Sequence, residues 1–467
     1  MSQTTTTSTT NHRHVVAMPY PGRGHINPML NLCKLILSKS NNNNNFLFTF
    51  VVTEEWLGLL SSEPKPPANI RYAALPQVIP SEVGRAADMV GFIQAVLTKL
   101  QDPFERLLDQ LEPPPTAIIY DTWLSTWMVN VGNKRNIPVV SLFPMSASVF
   151  TVFYHLDLLV QHGHFPFDIS ERGNEIVDYI PGLPSTTIAD LTTFFSGDGK
   201  TMFLHVLDTF SLLKNTTCLL FTSIYEFEEQ VINCVKEKLD IPIYHIGPMI
   251  PYFNHESNNI SCTSTQNPGS DQSYFQWLDL QPKGSVLYIS QGSFLSISNA
   301  QMEEIIAGIK ESGVRFLWVT RGDTSRFKDV VGEVGCLVSW CDQLKVLCHP
   351  SVGGFWTHCG WNSTSESIYA GVPMLTCPIF WDQMPNSKLV VSDLKIGWRV
   401  INDGNRKEKI VTREEIAKVV KTFMDSDNDE RKEMVERAKN LKNTFRRAIS
   451  DGGSAASNID AFIECIS

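Results

Sequence analysis

The sequence predicts an α/β protein of two doubly wound domains with a cleft between them. The chain has 467 residues and a mass of 52.5 kDa, which is more than one hydrophobic core usually organises. Short apolar runs alternate with helical patterns in both halves, which is typical of parallel sheets covered by helices. A hydrophobic content of 43% with 19% charged residues indicates a folded globular protein.

The N-terminal half begins with the apolar run "HVVAMPY", which ends at Pro21-Gly22. Apolar residues at helical spacing follow at Ile26, Met29, Leu30, Leu32, Leu35 and Ile36. The later elements are, in chain order, the strands "FLFTFVVT" and "NIRYAAL", a helical stretch near residues 88–111, and the strands "PTAIIYD" and "IPVVSLF". Because their apolar runs are nearly continuous, we expect such strands to be buried on both faces.

The alternation stops over residues 247–275, which are rich in Pro, Asn, Ser and Gly and indicate a linker. It then resumes with "GSVLYIS", the helix "NAQMEEIIAGIKES", "RFLWVT", "GCLVSW", "VGGFWT", the helix "STSESIYAG" and "PMLTCPI". We therefore expect a disordered tail over residues 1–11, an N-terminal domain over 12–246 and a C-terminal domain over 276–445. Residues 446–467 are expected to form a C-terminal helix that packs back on the N-terminal domain.

Composition excludes several classes of partner. A net charge of −10 argues against nucleic acid, because phosphate binding needs concentrated positive charge. The polar start "MSQTTTTSTTNHRH" has no secretory h-region, and no apolar run reaches the length of a membrane span. Ten cysteines without a CxxC pair indicate reduced thiols. We expect a cytoplasmic protein that acts as a monomer.

The stretch "FWTHCGWNSTSES", residues 355–367, concentrates hydrogen-bonding side chains where a strand gives way to a helix. A metal site is one explanation, since five candidate ligands fall within nineteen positions: Cys341, Cys348, His349, His358 and Cys359. Their spacing contains neither CxxC nor HExxH, and adjacent residues of a strand point to opposite faces. The aspartates of "DSDNDERK" lie in a charged turn, so no metal is expected there either.

A nucleophile is a second explanation, but no G-x-S-x-G elbow accompanies Cys359. A third is a phosphate cradle, because Gly360 allows a tight turn into a helix whose first N–H groups bind anions. A capping box between Ser363 and Glu366 would explain the same residues without a ligand. Local spacing leaves these last two alternatives open.

Longer-range spacing adds a family resemblance. The 44 residues from Trp340 to Gln383, including "HCGWNS", "GVP" and the closing "DQ", resemble the signature of the plant secondary-product UDP-glycosyltransferases. "GHINP", an aspartate after the strand near residue 120, and a Gly-Ser pair after the first strand of the second half extend the likeness. The resemblance implies a GT-B fold of two Rossmann-like domains, with the UDP-sugar in the C-terminal half and a small lipophilic acceptor in the N-terminal half.

The resemblance also assigns the donor site. Trp340 would stack on uracil, although a core aromatic is the alternative, and Cys341 and Gln343 would contact the base and ribose. Glu366 would accept hydrogen bonds from the ribose hydroxyls. The remaining assignments are phosphate contacts for Ser293, His358, Trp361, Asn362 and Ser363, and sugar contacts for Asp382 and Gln383. UDP-glucose is implied as co-substrate, since glutamine closes the signature of glucosyltransferases, and neither a metal nor another cofactor is implied.

Catalysis is assigned to two residues. His25, in "PGRGHINP", matches the family's general base, and an imidazole with an ordinary pKa near 6.5 suits that role. Asp121 matches the carboxylate that orients it. The implied reaction is inverting transfer of glucose from UDP-glucose to an acceptor hydroxyl or carboxyl, giving a β-glucoside. A non-catalytic ligand-binding relative and a GT-B enzyme that uses another UDP-sugar are the alternatives.

Overall fold

A computed structural model describes residues 13–40, 46–84, 88–166, 169–192, 200–252, 273–292, 298–320, 331–400 and 410–467. It contains two parallel sheets with intervening helices, which confirms the predicted α/β class. The predicted tail, residues 1–11, lies outside the described ranges.

The N-terminal domain is built on a seven-stranded parallel sheet. Its strands are β1 (Arg13–Met18), β2 (Phe46–Thr53), β3 (Ile70–Leu75), β4 (Ala117–Asp121), β5 (Val139–Phe143), β8 (Cys218–Phe221) and β9 (Ile243–His245). Their order across the sheet is β3-β2-β1-β4-β5-β8-β9. A separate antiparallel pair consists of β6 (Ile176–Val177) and β7 (Thr186–Thr187).

The C-terminal domain is built on a six-stranded parallel sheet. Its strands are β10 (Val286–Ser290), β11 (Arg315–Val319), β12 (Gly335–Val338), β13 (Val352–Thr357), β14 (Met374–Thr376) and β15 (Gly397–Arg399). Their order is β12-β11-β10-β13-β14-β15. Both sheets therefore reverse their strand order once, between β1 and β4 and between β10 and β13.

The helices connect successive strands. In the N-terminal half they are α1 (Arg23–Lys39), α2 (Glu54–Leu60), α3 (Met89–Lys99), α4 (Gln101–Leu108), α5 (Ser125–Arg135), α6 (Ala147–Tyr154), α7 (Leu156–Gln161), α8 (Ile169–Arg172), α9 (Lys200–Ser211) and α10 (Tyr225–Lys238). The helices of the C-terminal half are α11 (Ser273–Asp279), α12 (Asn299–Ser312), α13 (Gln343–Leu347), α14 (Trp361–Ala370), α15 (Gln383–Lys388), α16 (Arg413–Met424), α17 (Asp429–Ile449) and α18 (Ser454–Cys465). Within the described ranges, no helix is both long and apolar enough to cross a membrane.

The two reversal points set up the cleft. In register, Met18 of β1 lies beside Tyr120 of β4, and Ser290 of β10 lies beside Thr357 of β13. Each pair of strands therefore ends at nearly the same level, and the residues that follow are neighbours. Ligands of open α/β sheets bind at these points, beyond the carboxyl ends of the strands.

The helical stretch predicted near residues 88–111 is divided into α3 and α4, which meet at Leu100. Pro103 lies in the first turn of α4. Proline has no N–H group to donate to a carbonyl one turn earlier, so it interrupts the hydrogen bonds of a continuous helix. It is tolerated in a first turn, where the N–H groups have no partner within the helix. The chain therefore restarts its helix just before this residue.

The start of the predicted linker is buried against the rest of the chain. Met249, Ile250 and Tyr252 are all buried, and the Asn31 side chain donates a hydrogen bond to the Met249 carbonyl over 2.9 Å. Residues 253–272 of the linker lie outside the described ranges. The last helix, α18, packs on β9 and α1, and Lys39 forms an ion pair with Asp460 at 2.8 Å.

A buried carboxylate organises the start of α6. Glu228 of α10 accepts hydrogen bonds from the backbone N–H groups of Ala147 and Ser148, over 3.0 and 2.7 Å, and from the Ser148 hydroxyl over 2.7 Å. The first N–H groups of a helix have no partner within the helix, so this carboxylate satisfies two of them. It thereby fixes the helix that follows β5.

We expect Glu228→Ala to destabilise the protein by about 2–4 kcal/mol, because two buried N–H groups lose their acceptor. The thermal midpoint should fall by roughly 5 °C or more for a domain of this size. The control is Glu237→Ala, which removes an exposed carboxylate from the same helix. Equal midpoints for the two variants, measured by circular dichroism, would contradict the capping role of Glu228.

Candidate active site

His25 and Asp121 meet at the reversal point of the N-terminal sheet. After β1 the chain turns through Gly22, the N-cap of α1, and this places His25 in the first turn of the helix. Asp121 ends the neighbouring strand β4 and is fully buried. The His25 Nδ1 and Asp121 Oδ2 atoms are 2.7 Å apart, and the histidine side chain is 14% exposed.

The Asp121 carboxylate is held at both oxygens. Its Oδ1 accepts a hydrogen bond from the Trp123 backbone N–H over 3.1 Å, while Oδ2 faces His25. An ionised carboxylate can only accept, so Nδ1 of His25 carries the proton between them. The other ring nitrogen, Nε2, is then the acceptor. This arrangement is that of a general base oriented by an acid.

A cavity with about 550 Å³ of empty space, part of it open to solvent, lies beside His25. Most of its lining side chains are apolar: Ile93, Leu97, Trp123, Met145, Phe153, Met202 and Trp381. The polar groups that reach it are those of Tyr20, His25, His205, Thr209 and Asp382. Its shape and lining fit a small, largely apolar molecule that presents a polar group to His25.

The other side of the cleft holds the start of α14. Its N-cap residue is Gly360, so no side chain caps the helix. Ser363 is the third residue of the helix, not its N-cap, and the Ser363–Glu366 capping box is therefore not formed. The positive end of the helix dipole and the N–H groups that follow Trp361 in the first turn suit an anion.

His358 lies directly before this helix terminus. A Cβ built on either Gly292 or Gly360 would come within 2.6 Å of the His358 Nε2 atom, so the ring is confined between two glycines. Burial lowers the pKa of His358 to about 4, and its Nδ1 has no hydrogen-bond partner in the described part of the chain. The ring is therefore neutral at pH 7 and carries a buried polar atom that is free for a ligand.

Two side chains of the first turn of α14 reach across to the N-terminal domain. The Trp361 indole N–H donates to the Thr222 carbonyl over 3.0 Å, and the Asn362 amide donates to the Gly24 carbonyl over 3.1 Å. Their side-chain donors are thus used between the domains. The Trp361 backbone N–H is also used, since it donates to the Asp382 carboxylate.

The segment before α13 presents a flat aromatic surface. Trp340 is 64% exposed, which excludes the core alternative for this side chain. Cys341 is buried, and its Sγ lies 3.3 Å from the Tyr288 hydroxyl. Burial also raises the pKa of Cys341 to about 12, so this thiol is not a nucleophile at neutral pH.

Gln343, Ser363 and Glu366 form one hydrogen-bonded group beside Trp340. The Gln343 amide donates to the Ser363 Oγ over 2.9 Å and to the Glu366 Oε2 over 2.5 Å. The Gln343 carbonyl oxygen accepts from the Tyr288 hydroxyl over 3.1 Å. Burial raises the pKa of Glu366 to about 7, while the Gln343 hydrogen bond works in the opposite direction.

Asp382 and Gln383 lie at the N-terminus of α15. Asp382 lines the cavity together with His25. The Gln383 carbonyl oxygen accepts from the backbone N–H groups of Ile379 and Phe380, over 2.8 and 3.3 Å. Only its NH₂ group remains to meet a ligand.

The remaining sequence-based expectations concern Ser293, a metal site and the aspartates of "DSDNDERK". Ser293 lies outside the described residues. Within the described part of the chain, no group of three or more His, Cys, Asp or Glu side chains is arranged to hold a metal. Asp425 ends α16 and Asp429 begins α17, so these aspartates lie in the turn between two helices.

Several residues of the site were missed by sequence analysis. They are Trp123, Trp381, His205, Thr209 and Asn386. Asn386 follows Asp382 by one helical turn, a spacing that could have revealed their contact. Trp123 and Trp381 lie within two residues of Asp121 and Asp382, which sequence analysis did find. His205 and Thr209 lie one turn apart on α9, and only the fold brings that helix to His25.

Two parallel sheets, with an uncapped helix terminus on one side of the cleft and a carboxylate-paired histidine on the other, are the arrangement expected of a GT-B glycosyltransferase. The family model described as UDP-glucoronosyl and UDP-glucosyl transferase matches residues 238–439. UDP-glycosyltransferases 87A2 and 87A1 of Arabidopsis thaliana are 52% and 50% identical to the chain. The alignment with 87A2 covers 97% of this chain and 97% of the relative. The alignment with 87A1 covers 96% of this chain and 99% of the relative. The chain therefore belongs to the plant UDP-glycosyltransferase family, as its sequence signature predicted.

Solved structures agree with the fold. Phytolacca americana UGT2, complexed with UDP-2fluoro-glucose and pterostilbene, aligns with a TM-score of 0.79 at 27% identity, covering 97% of this chain and 98% of that one. Medicago truncatula UGT71G1, complexed with UDP-glucose, aligns with a TM-score of 0.77 at 25% identity, covering 98% and 99%. The protein is a glycosyltransferase that moves a sugar from a UDP-sugar to an acceptor.

We expect Gly360→Ala to weaken UDP binding about tenfold or more, equivalent to about 1.4 kcal/mol. The added Cβ would displace the His358 ring, which has no room to move toward Gly292. Titration calorimetry with UDP measures the effect. Gly58→Ala is the control, because a Cβ there meets nothing within 4 Å. An unchanged Kd for the Gly360 variant would show that the His358 turn does not contribute to the UDP site.

Proposed function

We propose that the protein transfers glucose from UDP-glucose to a hydroxyl, or carboxyl, of a small lipophilic acceptor and inverts the anomeric centre. A flavonoid, another phenolic or a terpenoid is the acceptor class that suits the cavity. The observation that carries the proposal is the His25–Asp121 pair at the wall of this apolar cavity, across the cleft from the open terminus of α14. The UDP-glucose and fluoroglucose complexes of the two solved relatives support the donor.

The acceptor half supplies the base. The acceptor hydroxyl gives its proton to Nε2 of His25, and the buried Asp121 carboxylate stabilises the imidazolium that results. The acceptor oxygen then forms a bond to the anomeric carbon while the bond from that carbon to the diphosphate oxygen breaks. Attack comes from the side opposite the diphosphate, so an α-linked donor gives a β-glucoside.

The donor half stabilises the leaving group. Uracil would stack on the exposed face of Trp340, and the ribose hydroxyls would donate to Glu366, which Gln343 holds in place. The diphosphate would lie at the start of α14, with His358 as a neutral donor. Negative charge that develops on the diphosphate then meets N–H groups already oriented toward it.

The sugar lies between these groups and Asp382 in this proposal. The Asp382 carboxylate and the free NH₂ of Gln383 are the groups that would meet its hydroxyls. Since all of these residues come from one chain, the protein is proposed to work as a monomer. His205 and Thr209, one helical turn apart on α9, would supply further polar contacts to the acceptor.

His25→Ala should lower turnover by about 10²–10⁴-fold, the usual contribution of a general base. UDP binding should stay within about threefold of the parent, because the His25 side chain bonds to Asp121 and faces the acceptor cavity. A threefold change is only about 0.7 kcal/mol. Asp121→Asn should also lower turnover severely, because an amide cannot stabilise the imidazolium. The measurements are kcat with an aliphatic alcohol acceptor and Kd for UDP.

A phenol of low pKa serves as the internal control for the His25 variant. It ionises without help and should lose much less activity than the alcohol. Parental turnover of the alcohol by the His25 variant would remove this residue from the mechanism.

UDP-glucose should be preferred over UDP-galactose by about tenfold to a hundredfold. A site matched to one hydroxyl pattern leaves buried polar groups unpaired when the C4 hydroxyl is inverted, at a cost of about 1–3 kcal/mol. UDP-glucuronate should also be poor, since no arginine lies in "PIFWDQMPNSK". Comparison of kcat/KM for these donors and UDP-xylose with one acceptor tests the assignment, and a clear preference for another donor overturns it.

A further inference from the structure

Asn386 is a fully buried residue of α15 whose side-chain amide contacts three parts of the site. Its NH₂ group donates to the Asp382 Oδ2 atom over 2.8 Å and to the Cys359 carbonyl over 3.0 Å. Its carbonyl oxygen accepts from the Ser146 hydroxyl over 3.3 Å. Both hydrogens and the oxygen of this amide are therefore used.

The three partners belong to three functional regions. Asp382 lines the cavity with His25. Cys359 has a positive φ of 67° and forms the turn that leads into α14. Ser146 is the N-cap of α6 in the N-terminal domain, and the residue before it, Met145, also lines the cavity.

We propose that Asn386 is a positioning residue for glycosyl transfer, fixing the Asp382 carboxylate and the α14 turn relative to the acceptor wall. This inference rests on the proposed role of Asp382 as a sugar contact. It adds a residue that touches neither substrate and acts through Asp382 and the Cys359 turn.

Asparagine suits this position because it combines two donors and one acceptor on a short, planar side chain. An aspartate here would offer no hydrogen to Asp382 or to the Cys359 carbonyl and would bring a second charge beside the first. The hydrogen bond to Asp382 is charge-assisted when that carboxylate is ionised, which makes it stronger than a neutral one. Its loss therefore affects the charge of Asp382 as well as its orientation.

The direction of the charge effect follows from the surroundings of Asp382. Burial raises the pKa of Asp382 to about 6; the Asn386 hydrogen bond, the nearby His25 and the backbone N–H groups of Asp382 and Trp361 oppose that rise. His205 is a further titratable side chain on the wall of the same cavity. Lys388, on the same helix, is paired with Asp393 at 2.8 Å. Removal of Asn386 should therefore raise the pKa of Asp382 further.

The test compares Asn386→Ala with the matched control Asn31→Ala. Asn31 is a buried asparagine of α1 whose side-chain amide donates to the Met249 carbonyl over 2.9 Å and not to Asp382 or Cys359. We expect the Asn386 variant to bind UDP within about threefold of the parent, equivalent to about 0.7 kcal/mol. Its kcat with UDP-glucose should fall about tenfold or more, and the acid limb of kcat/KM should move up by roughly 0.5–1 pH unit. The control variant should leave unchanged both the acid limb of the kcat/KM profile and the ratio of kcat to UDP affinity.

A second variant at Asn386 and a double-mutant cycle with Asp382 complete the test. If Asn386→Ala does not fold, Asn386→Ser keeps one hydrogen-bond donor on a smaller side chain, and a smaller upward shift of the acid limb is expected. Combining either variant with Asp382→Asn should give much less than the sum of the separate losses, because Asn386 acts through Asp382. An unmoved acid limb or full additivity in an enzyme that transfers glucose would overturn the positioning role. A parent enzyme that does not use UDP-glucose would instead overturn the proposed function.

Discussion

The hydrogen bonds between the first turn of α14 and the N-terminal domain are the contacts on which the site depends. Trp361 donates to the Thr222 carbonyl beyond β8, and Asn362 donates to the Gly24 carbonyl in the first turn of α1. The helix terminus in the donor half is thereby held next to the helix turn that carries His25. A shift of one domain against the other would break both contacts and separate the two halves of the site.

At the start of α14, His358 is neutral because burial lowers its pKa to about 4, and the side chains of Trp361 and Asn362 are bonded to the other domain. In the proposed complex a diphosphate would meet His358, the remaining first-turn backbone N–H groups and the dipole of α14. Such groups are oriented before the reaction begins, and so need little rearrangement as charge develops.

The sequence predicted the fold and the chemistry of individual residues better than their contacts. Long apolar runs such as β2 and β10 were found because buried parallel strands have few polar residues. The strands β8, β9 and β15 were not predicted, although β14, which also has only three residues, was. The family signature located the C-terminal side of the cleft, because those residues are close together in the chain.

The spacing of residues in the sequence did not predict the hydrogen-bond partners of individual site residues. Gln343 was expected to touch the base and ribose, yet its amide is bonded to Ser363 and Glu366. Gln383 was expected to read the sugar with its whole amide, yet its oxygen is bonded to the loop before it. The Gln383 contacts lie three and four residues back along the chain, whereas those of Gln343 depend on how α13 packs against α14.

In the proposed mechanism the acceptor oxygen, activated by His25, attacks from the side of the sugar opposite the diphosphate. The anomeric configuration of the first product is the direct test. Proton NMR of the glucoside formed early from UDP-glucose should show the large H1–H2 coupling of a β-linked sugar. The small coupling of an α-linked product would contradict the arrangement of His25 and the α14 terminus on opposite sides of the reacting carbon.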